Sequence, residues 1–265
     1  FLFMAVEEHG VTHETEPGTH EAGIHVVLKA EPIAHIGDFA ITNSLLLTWI
    51  TMAILIGFAY FFGRSLKKVP GKLQAGIEWA FESVMNFMAE TLGSMELAKR
   101  FFPLIATIFL FVFLANELAF LPGVGSIMVG DVPLLRAPGA DLNFTLALAI
   151  ISFLTIEITG ILTLGILKYG GKFVNVKSPV DFIVGIIELV SNLGRLISFS
   201  FRLFGNIFAG EVMILVAIFF VPYVIPVPLM LFEVFVGLIQ AVVFSMLTLF
   251  FIKLAIMEPH GEEAH

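Results

Sequence analysis

The chain has 265 residues, of which 58% are hydrophobic and only 14% are charged, with 29 Phe and no Cys. Soluble domains average about 45–50% apolar and ~25% charged residues, so lipid must solvate much of this apolar surface. The net charge of −8 argues against a nucleic-acid partner. The lack of cysteine excludes disulfides, thiolate metal sites and thiol nucleophiles.

The negative charge lies in the two ends of the chain. Residues 1–38 contain seven acidic residues and one Lys, and residues 258–265 contain three acidic residues. Residues 39–257 carry 12 acidic and 13 basic residues and are nearly neutral. We therefore expect an acidic, His-rich N-terminal segment 1–38, a single membrane domain 39–257 and an acidic tail 258–265. The five N-terminal His are irregularly spaced, which favours a solvated segment over a metal site.

Apolar stretches predict an all-α polytopic membrane protein with about five crossings. A spanning helix needs ~20 largely apolar residues. The stretches that meet this length are about 39–63, 101–121, 142–167, 180–220 and 229–257. Residues 71–96 place Gln and Glu on one face and apolar side chains on another, which predicts an amphipathic helix at the membrane interface.

The last two stretches predict a C-terminal hairpin of two long helices. At ~1.5 Å per residue, residues 180–220 extend ~60 Å, about twice the hydrocarbon thickness, so the helix must break or tilt strongly. The segment 221–228 contains three Pro and predicts the turn. Folding the chain back there places Arg202 at the depth of Gln240, and Glu211 at the depth of Glu233.

The distribution of Lys and Arg predicts the orientation. Nine of the 14 lie in the loops that follow the first and third spans, whereas the opposite loops contain only Lys29 and Arg136. The positive-inside rule places the nine in the cytoplasm. We therefore expect a periplasmic N-terminus and a cytoplasmic C-terminus.

Ionisable side chains fall within the predicted spans, where each costs ~3 kcal/mol or more and is usually functional. They include Glu117, Glu157, Glu188, Arg195, Arg202, Glu211 and Glu233. Helical spacing predicts that six side chains of the fourth span share one polar stripe: Glu188, Asn192, Arg195, Ser198, Arg202 and Asn206.

Carboxylates relay protons, whereas an Arg stays charged. Arg202 would thus separate a path at Glu188 from a path at Glu211 and Glu233, and a carboxylate on another component must shuttle between them.

Several segments resemble the subunit a family of F-type rotary ATP synthases. SFSFRLFGNIFAGEV (198–212) resembles the region around the essential arginine of that family, and LIQAVVFSMLTLFFI (238–252) resembles its partner helix. The segments 41–50, 111–123 and 138–150 also match. The resemblance covers nearly the whole chain from about residue 39.

The resemblance implies that Arg202 is the essential arginine facing the rotating c-ring. It implies a periplasmic half-channel formed by Asn116, Asn206, Glu211, Glu233 and Gln240, and a cytoplasmic half-channel formed by Glu188, Ser191 and Ser198. The implied partners are the c-ring, the peripheral-stalk subunit b and lipid, without a cofactor, a metal, nucleic acid or direct nucleotide binding. The implied location is a bacterial inner membrane in preference to an organellar one.

The sequence departs from the family pattern at one place. Relatives often pair a Glu with a His where this chain has Glu211 and Glu233, and no His occurs between His35 and His260. An imidazole relay within the spans is therefore excluded, and we expect the two carboxylates to lie close enough to share a proton.

Other interpretations stay open. The chain could be a stand-alone proton-coupled secondary transporter or, less favoured, a membrane enzyme. It contains no G-x-x-x-x-G-K-[ST] phosphate loop, so nucleotide chemistry must belong to partners. An ion pair between Glu188 and Arg195 is the structural alternative for those two side chains, and Asp141 and Asn143 are predicted to cap a helix.

Overall fold

The computed structural model describes residues 30–37, 39–120, 124, 127–129, 132–171, 179–222 and 224–256. This part of the chain forms seven α-helices, one short 3₁₀ helix and two small β-hairpins. The prediction of an all-α polytopic membrane protein is confirmed. Residues 1–29, with most of the N-terminal His, and the tail 258–265 lie outside the described residues.

Five of the helices are long and apolar enough to cross a membrane, counted over the described residues. These five are α1 (Asn43–Ser65), α3 (Met95–Ala119), α4 (Leu142–Leu164), α6 (Pro179–Phe220) and α7 (Pro226–Ile256). The others are α2 (Lys72–Leu92) and the short α5 (Ile166–Gly171).

Helix α2 has the expected amphipathic character. Glu78, Glu82 and Glu90 are exposed, whereas Met88 and Leu92 are buried. The buried face packs against α3, where the Phe81 and Phe102 rings meet edge to face at 5.7 Å. The second span begins earlier than expected because α2 ends at Gly93, in the left-handed conformation with φ 75°, and α3 starts only two residues later.

The first span begins at Asn43 rather than near residue 39. Residues Phe39–Thr42 form strand β2, which pairs antiparallel with β1 (Pro32–Ile36). Thr42 then caps α1, because its hydroxyl accepts a hydrogen bond from the Leu45 amide. A second hairpin, β3 (Met128–Val129) and β4 (Val132–Pro133), lies in the loop between α3 and α4.

The predicted cap of the third span is confirmed in part. The Asp141 carboxylate accepts a hydrogen bond from the Asn143 amide at 3.0 Å, so Asp141 is the N-cap of α4 and Asn143 lies within the first turn. The other Asp141 oxygen accepts a bond from the Ser44 hydroxyl at 2.6 Å. This contact ties the beginning of α1 to the beginning of α4. At its other end α4 stops at Gly165, and α5 follows at once.

Helices α6 and α7 form the predicted hairpin. Helix α6 has 42 residues and extends ~63 Å, so it must tilt strongly to stay within a bilayer. The turn is shorter than expected, because Pro226 and Pro228 lie in the first turn of α7, where proline is tolerated. The register agrees with the prediction. Gly210 faces Glu233, and the Phe199 and Phe244 ring centroids are 5.0 Å apart.

The core lies where α3 and α4 cover the hairpin. Helix α3 packs mainly on α7, and α4 packs on both α6 and α7. Leu203, Ile207, Leu249 and Ile252 are almost fully buried there. Apolar side chains cover the outer surfaces of α1, α4, α6 and α7, as a lipid solvent requires.

Candidate functional site

Arg202 lies on the outward face of α6, near the middle of its apolar length. Its side chain is exposed, and its Nη2 donates a hydrogen bond to the Ser198 Oγ at 3.4 Å. The residues one and two turns after it on that face, Gly205 and Ala209, are small and also exposed. A fixed cation thus sits on a surface that another helix can approach closely.

Glu211 forms an ion pair with Arg136, a residue of the loop before α4. Arg136 Nε donates to one Glu211 oxygen at 3.2 Å and Nη2 donates to the other at 3.1 Å. Arg136 is 8% exposed and the Glu211 side chain 31% exposed. Glu211 was expected to lie close enough to Glu233 to share a proton, and the structure shows that its charged partner is Arg136. The fork of a guanidinium matches both oxygens of a carboxylate, which a second carboxylate cannot do.

Glu233 is buried, at 3% exposure, between α7 and α6. Its carboxyl group lies against the backbone of Gly210, where a Cβ atom would overlap it. Its Oε2 atom is buried and has no hydrogen-bond partner among the described residues. Because only glycine leaves this space, the position of the carboxyl group depends on Gly210.

Asn116 brings α3 to the same region. It is 1% exposed, and its Nδ2 donates to the Gly237 carbonyl, one turn after Glu233, at 3.3 Å. The Asn116 Oδ1 and Glu117 Oε1 atoms are buried without a partner among the described residues. We refer to Asn116, Glu117, Arg136, Glu211 and Glu233 as the carboxylate cluster.

Gln240 and Asn206 lie between the carboxylate cluster and Arg202. Gln240 is 9% exposed and is seven residues beyond Glu233, so it lies on the same face of α7. Asn206 is half-buried, one turn after Arg202 on α6. Polar groups therefore continue from the carboxylate cluster toward the level of Arg202.

The other end of α6 carries the remaining predicted residues. Glu188 is half-buried and Ser191 and Ser198 are exposed. Glu188 is 14 residues before Arg202 and Glu211 is nine after it, which correspond to ~21 and ~14 Å along the helix. The structure thus places Arg202 between two separate polar regions.

The predicted polar stripe on α6 is divided between two surfaces. Asn192 is 5% exposed and turns toward α4, whereas Arg202 faces outward. The Arg195 guanidinium lies over the Phe251 ring at 4.7 Å, and no ion pair between Glu188 and Arg195 occurs in the described part of the chain. Arg195, Ser198 and Arg202 line an open pocket of about 70 Å³ between α6 and α7.

Sequence reasoning missed Arg136 as a site residue. It was counted only as a charge in an outer loop, yet it is buried and joins that loop to α6. One feature of the sequence could have identified it: Arg136 and Lys29 are the only basic residues in the predicted outer segments. A lone cation beside membrane carboxylates is a candidate partner for one of them.

The fold and these polar groups define a class of protein. It is a polytopic helical membrane protein with ionisable side chains held inside its spans, an arrangement typical of proteins that move ions across membranes. No group of three or more His, Cys, Asp or Glu suited to a metal ion occurs among the residues that the structure describes.

Comparison with known proteins identifies the family. The family model described as ATP synthase A chain matches residues 45–253. ATP synthase subunit a of Gloeobacter violaceus is 35% identical over 243 residues, 91% of this chain and 92% of the relative. Subunit a of Geotalea daltonii is 34% identical over 213 residues, 80% and 87% of the two chains. Subunit a of Campylobacter fetus subsp. fetus is 33% identical over 230 residues, 87% and 96%.

The chain belongs to the ATP synthase subunit a family. It is therefore a multi-pass membrane component of a proton-translocating ATP synthase, with relatives in bacteria. The resemblance seen in the sequence is confirmed.

Removing only one partner of the Arg136–Glu211 ion pair is expected to lower the thermal stability of the complex more than removing both partners. Arg136→Ala leaves a carboxylate without its cation, which costs about 3–5 kcal/mol for a fully buried pair and less here, because Glu211 is partly exposed. Differential scanning calorimetry of the purified complex should show a lower Tm for Arg136→Ala. The double variant Arg136→Ala/Glu211→Gln should recover most of the loss.

The matched control is Arg64→Ala, which removes an exposed arginine at the end of α1. It should leave the Tm within about 1 °C of the wild type, since surface substitutions rarely exceed ~0.5 kcal/mol. An unchanged Tm in Arg136→Ala would contradict a stabilising role for the ion pair.

Proposed function

We propose that this chain is the stator subunit of an F-type rotary ATP synthase that connects protons on both sides of the membrane to carboxylates of the c-ring. Arg202 separates two offset aqueous half-channels and prevents a proton short circuit. The chain itself performs no phosphate chemistry. Subunit b of the peripheral stalk and lipid are its other proposed partners.

The observation that carries the proposal is the exposed cation on the face of α6. A guanidinium that faced lipid at mid-span would be costly, so Arg202 requires another protein surface with an anionic group. The small residues Ser198, Gly205 and Ala209 on that face allow a helix to approach closely. A ring of helices that carry carboxylates meets both requirements.

The carboxylate cluster supports a hydrated path from the periplasm. Buried oxygens of Asn116, Glu117 and Glu233 have no protein partner among the described residues, and buried acceptors of this kind are usually satisfied by water. The proposed periplasmic half-channel consists of Asn116, Asn206, Glu211, Glu233 and Gln240. Glu233 is its proton carrier, and Arg136 holds Glu211 in position.

The cytoplasmic half-channel is proposed to consist of Glu188, Ser191 and Ser198. These side chains lie on the part of α6 that precedes Arg202. Lys and Arg of the loops after α1 and α4 favour this end as the cytoplasmic one. The proposed location is the bacterial inner membrane, with the N-terminus in the periplasm and the C-terminus in the cytoplasm.

Reconstitution distinguishes this function from a stand-alone proton-coupled transporter. In liposomes with an imposed pH gradient and a potential clamped by K⁺ and valinomycin, the purified chain alone should pass protons no faster than empty liposomes. The assembled ATP synthase in matched liposomes should acidify the lumen on addition of ATP. Proton flux through the chain alone, above that of empty liposomes, would favour the transporter and contradict the stator function.

A further inference from the structure

Glu157 lies inside the third span and is not among the residues of the two proposed half-channels. It is 15 residues into α4 and seven from its end, so it lies ~10 Å from the end that faces α5. Both its oxygens accept hydrogen bonds: Oε2 from the Tyr169 hydroxyl at 2.8 Å and Oε1 from the Asn192 Nδ2 at 3.3 Å. A half-buried carboxyl group of a membrane span is thus connected to both α5 and α6.

Tyr169 is fixed in this contact by close packing. It is 6% exposed, and its ring lies against Gly160, one turn after Glu157, where a Cβ atom would overlap the ring. Burial, and then the hydrogen bond to Glu157, raise the pKa of the Tyr169 phenol above its ordinary value. The hydroxyl therefore keeps its proton and remains a donor to Glu157.

The Glu157 contact continues toward Glu188. Asn192 and Glu188 are four residues apart on α6, so they lie on one face of that helix. The Asn192 Oδ1 is buried without a hydrogen-bond partner among the described residues, beside the amide nitrogen that binds Glu157. Tyr169 also lies close enough to Glu188 and Arg195 for both charges to influence it. The two carboxyl groups therefore belong to one polar region.

We propose that Glu157 is a second proton carrier of the cytoplasmic half-channel and exchanges protons with Glu188 past Asn192. Toward the cytoplasm, the proton leaves the neutral Glu188 acid, which becomes a carboxylate, and adds to the free lone pair of a Glu157 carboxylate oxygen. The neutral Glu157 acid then releases it to water at the cytoplasmic end, which restores the carboxylate, and ATP-driven pumping runs the same steps in reverse. Each oxygen has room for this proton, because a carboxylate oxygen accepts two hydrogen bonds and each accepts only one from the described residues. The inference rests on the proposed function.

A structural clamp and a proton carrier respond differently to two substitutions. Glu157→Gln keeps the length of the side chain and groups that can bond Tyr169 and Asn192, but it cannot carry a proton. Glu157→Asp keeps the carboxyl group but withdraws it by one methylene. If Glu157 carries protons, Glu157→Gln therefore lowers the pumping rate more than Glu157→Asp does. If Glu157 only holds Tyr169 and Asn192 in place, Glu157→Asp lowers it more.

The experiment measures ATP-driven acidification in inverted membrane vesicles that contain the whole complex, normalised to complex content by immunoblot. Glu157→Gln is expected to lower the initial rate about a hundredfold, the lower end of the range for loss of a positioned proton acceptor, and Glu157→Asp is expected to lose less. Thr155→Val, on the opposite side of α4, is the matched control and should pump normally.

Two outcomes would overturn the proposal. One is a normal rate in Glu157→Gln. The other is a larger loss in Glu157→Asp than in Glu157→Gln, which would make Glu157 a clamp. Arg202→Ala in the same assay separates this proposal from the proposed function. If Arg202→Ala abolishes pumping while Glu157→Gln pumps normally, only the role of Glu157 fails.

Discussion

Replacing Arg202 by Ala is expected to abolish ATP-driven proton pumping by the assembled complex. The guanidinium is the permanent cation between the two polar regions of α6, and its removal leaves no group that attracts an incoming carboxylate or blocks direct proton transfer. We expect no ATP-dependent acidification of inverted vesicles, whereas passive proton conductance rises. A fluorescent pH indicator measures both quantities in the same preparation.

The matched control is Arg195→Ala, on the same helix two turns away. The Arg195 guanidinium lies over the Phe251 ring instead of on the outward face, so this variant should retain coupled pumping. Arg202→Lys should restore little activity, because an ammonium group lacks the planar fork of Arg and loses its charge far more readily. Coupled pumping in Arg202→Ala at the wild-type rate would refute the central assignment.

The second large effect is expected from Gly210→Ala. An added methyl group would overlap the Glu233 carboxyl group, which is buried between α6 and α7 and cannot move into solvent. Either the hairpin separates or the carboxyl group turns away from the path. Forcing an extra carbon into such a site costs about 1–3 kcal/mol. This is enough to reduce the population with the Glu233 carboxyl group in its buried position, and therefore the pumping rate, about tenfold or more.

A compensating substitution makes the Gly210 prediction specific. Glu233→Asp withdraws the carboxyl group by one methylene, so Gly210→Ala/Glu233→Asp should pump faster than Gly210→Ala alone. Gly57→Ala is the control, because this helical glycine of α1 has open space where a Cβ would be. Normal pumping in Gly210→Ala, with normal amounts of complex, would show that close packing on Glu233 is unimportant.

The ion pair between Arg136 and Glu211 changes the roles that the two outer carboxylates can play. The sequence suggested that these two carboxylates share one proton. The structure instead gives Glu211 a permanent cation, and Glu233 has none among the residues that the structure describes. Two carboxylates with different neighbours need not compete for one proton, so Glu233 is free to serve as the carrier.

Local patterns in the sequence determined the architecture. Five apolar stretches of sufficient length predicted the five long helices, and periodic Glu and Gln predicted that α2 does not cross the membrane. The register of the α6–α7 hairpin also followed, because the prolines restrict the turn and helical rise then sets the depth of each residue. The helix ends were less accurate, because caps such as Thr42 and turns such as Gly93 depend on a single residue.

Only the tertiary structure decided which polar side chains meet. Arg136 and Glu211 are 75 residues apart in sequence, and Glu157 and Asn192 are 35 apart. Periodicity gives the face of a helix on which a residue lies but not the neighbour that covers that face. Asn192 and Arg202 were expected on one stripe, yet α4 covers the first and leaves the second exposed. The residue types in the membrane were thus determined by the sequence, and their partners by packing between distant segments.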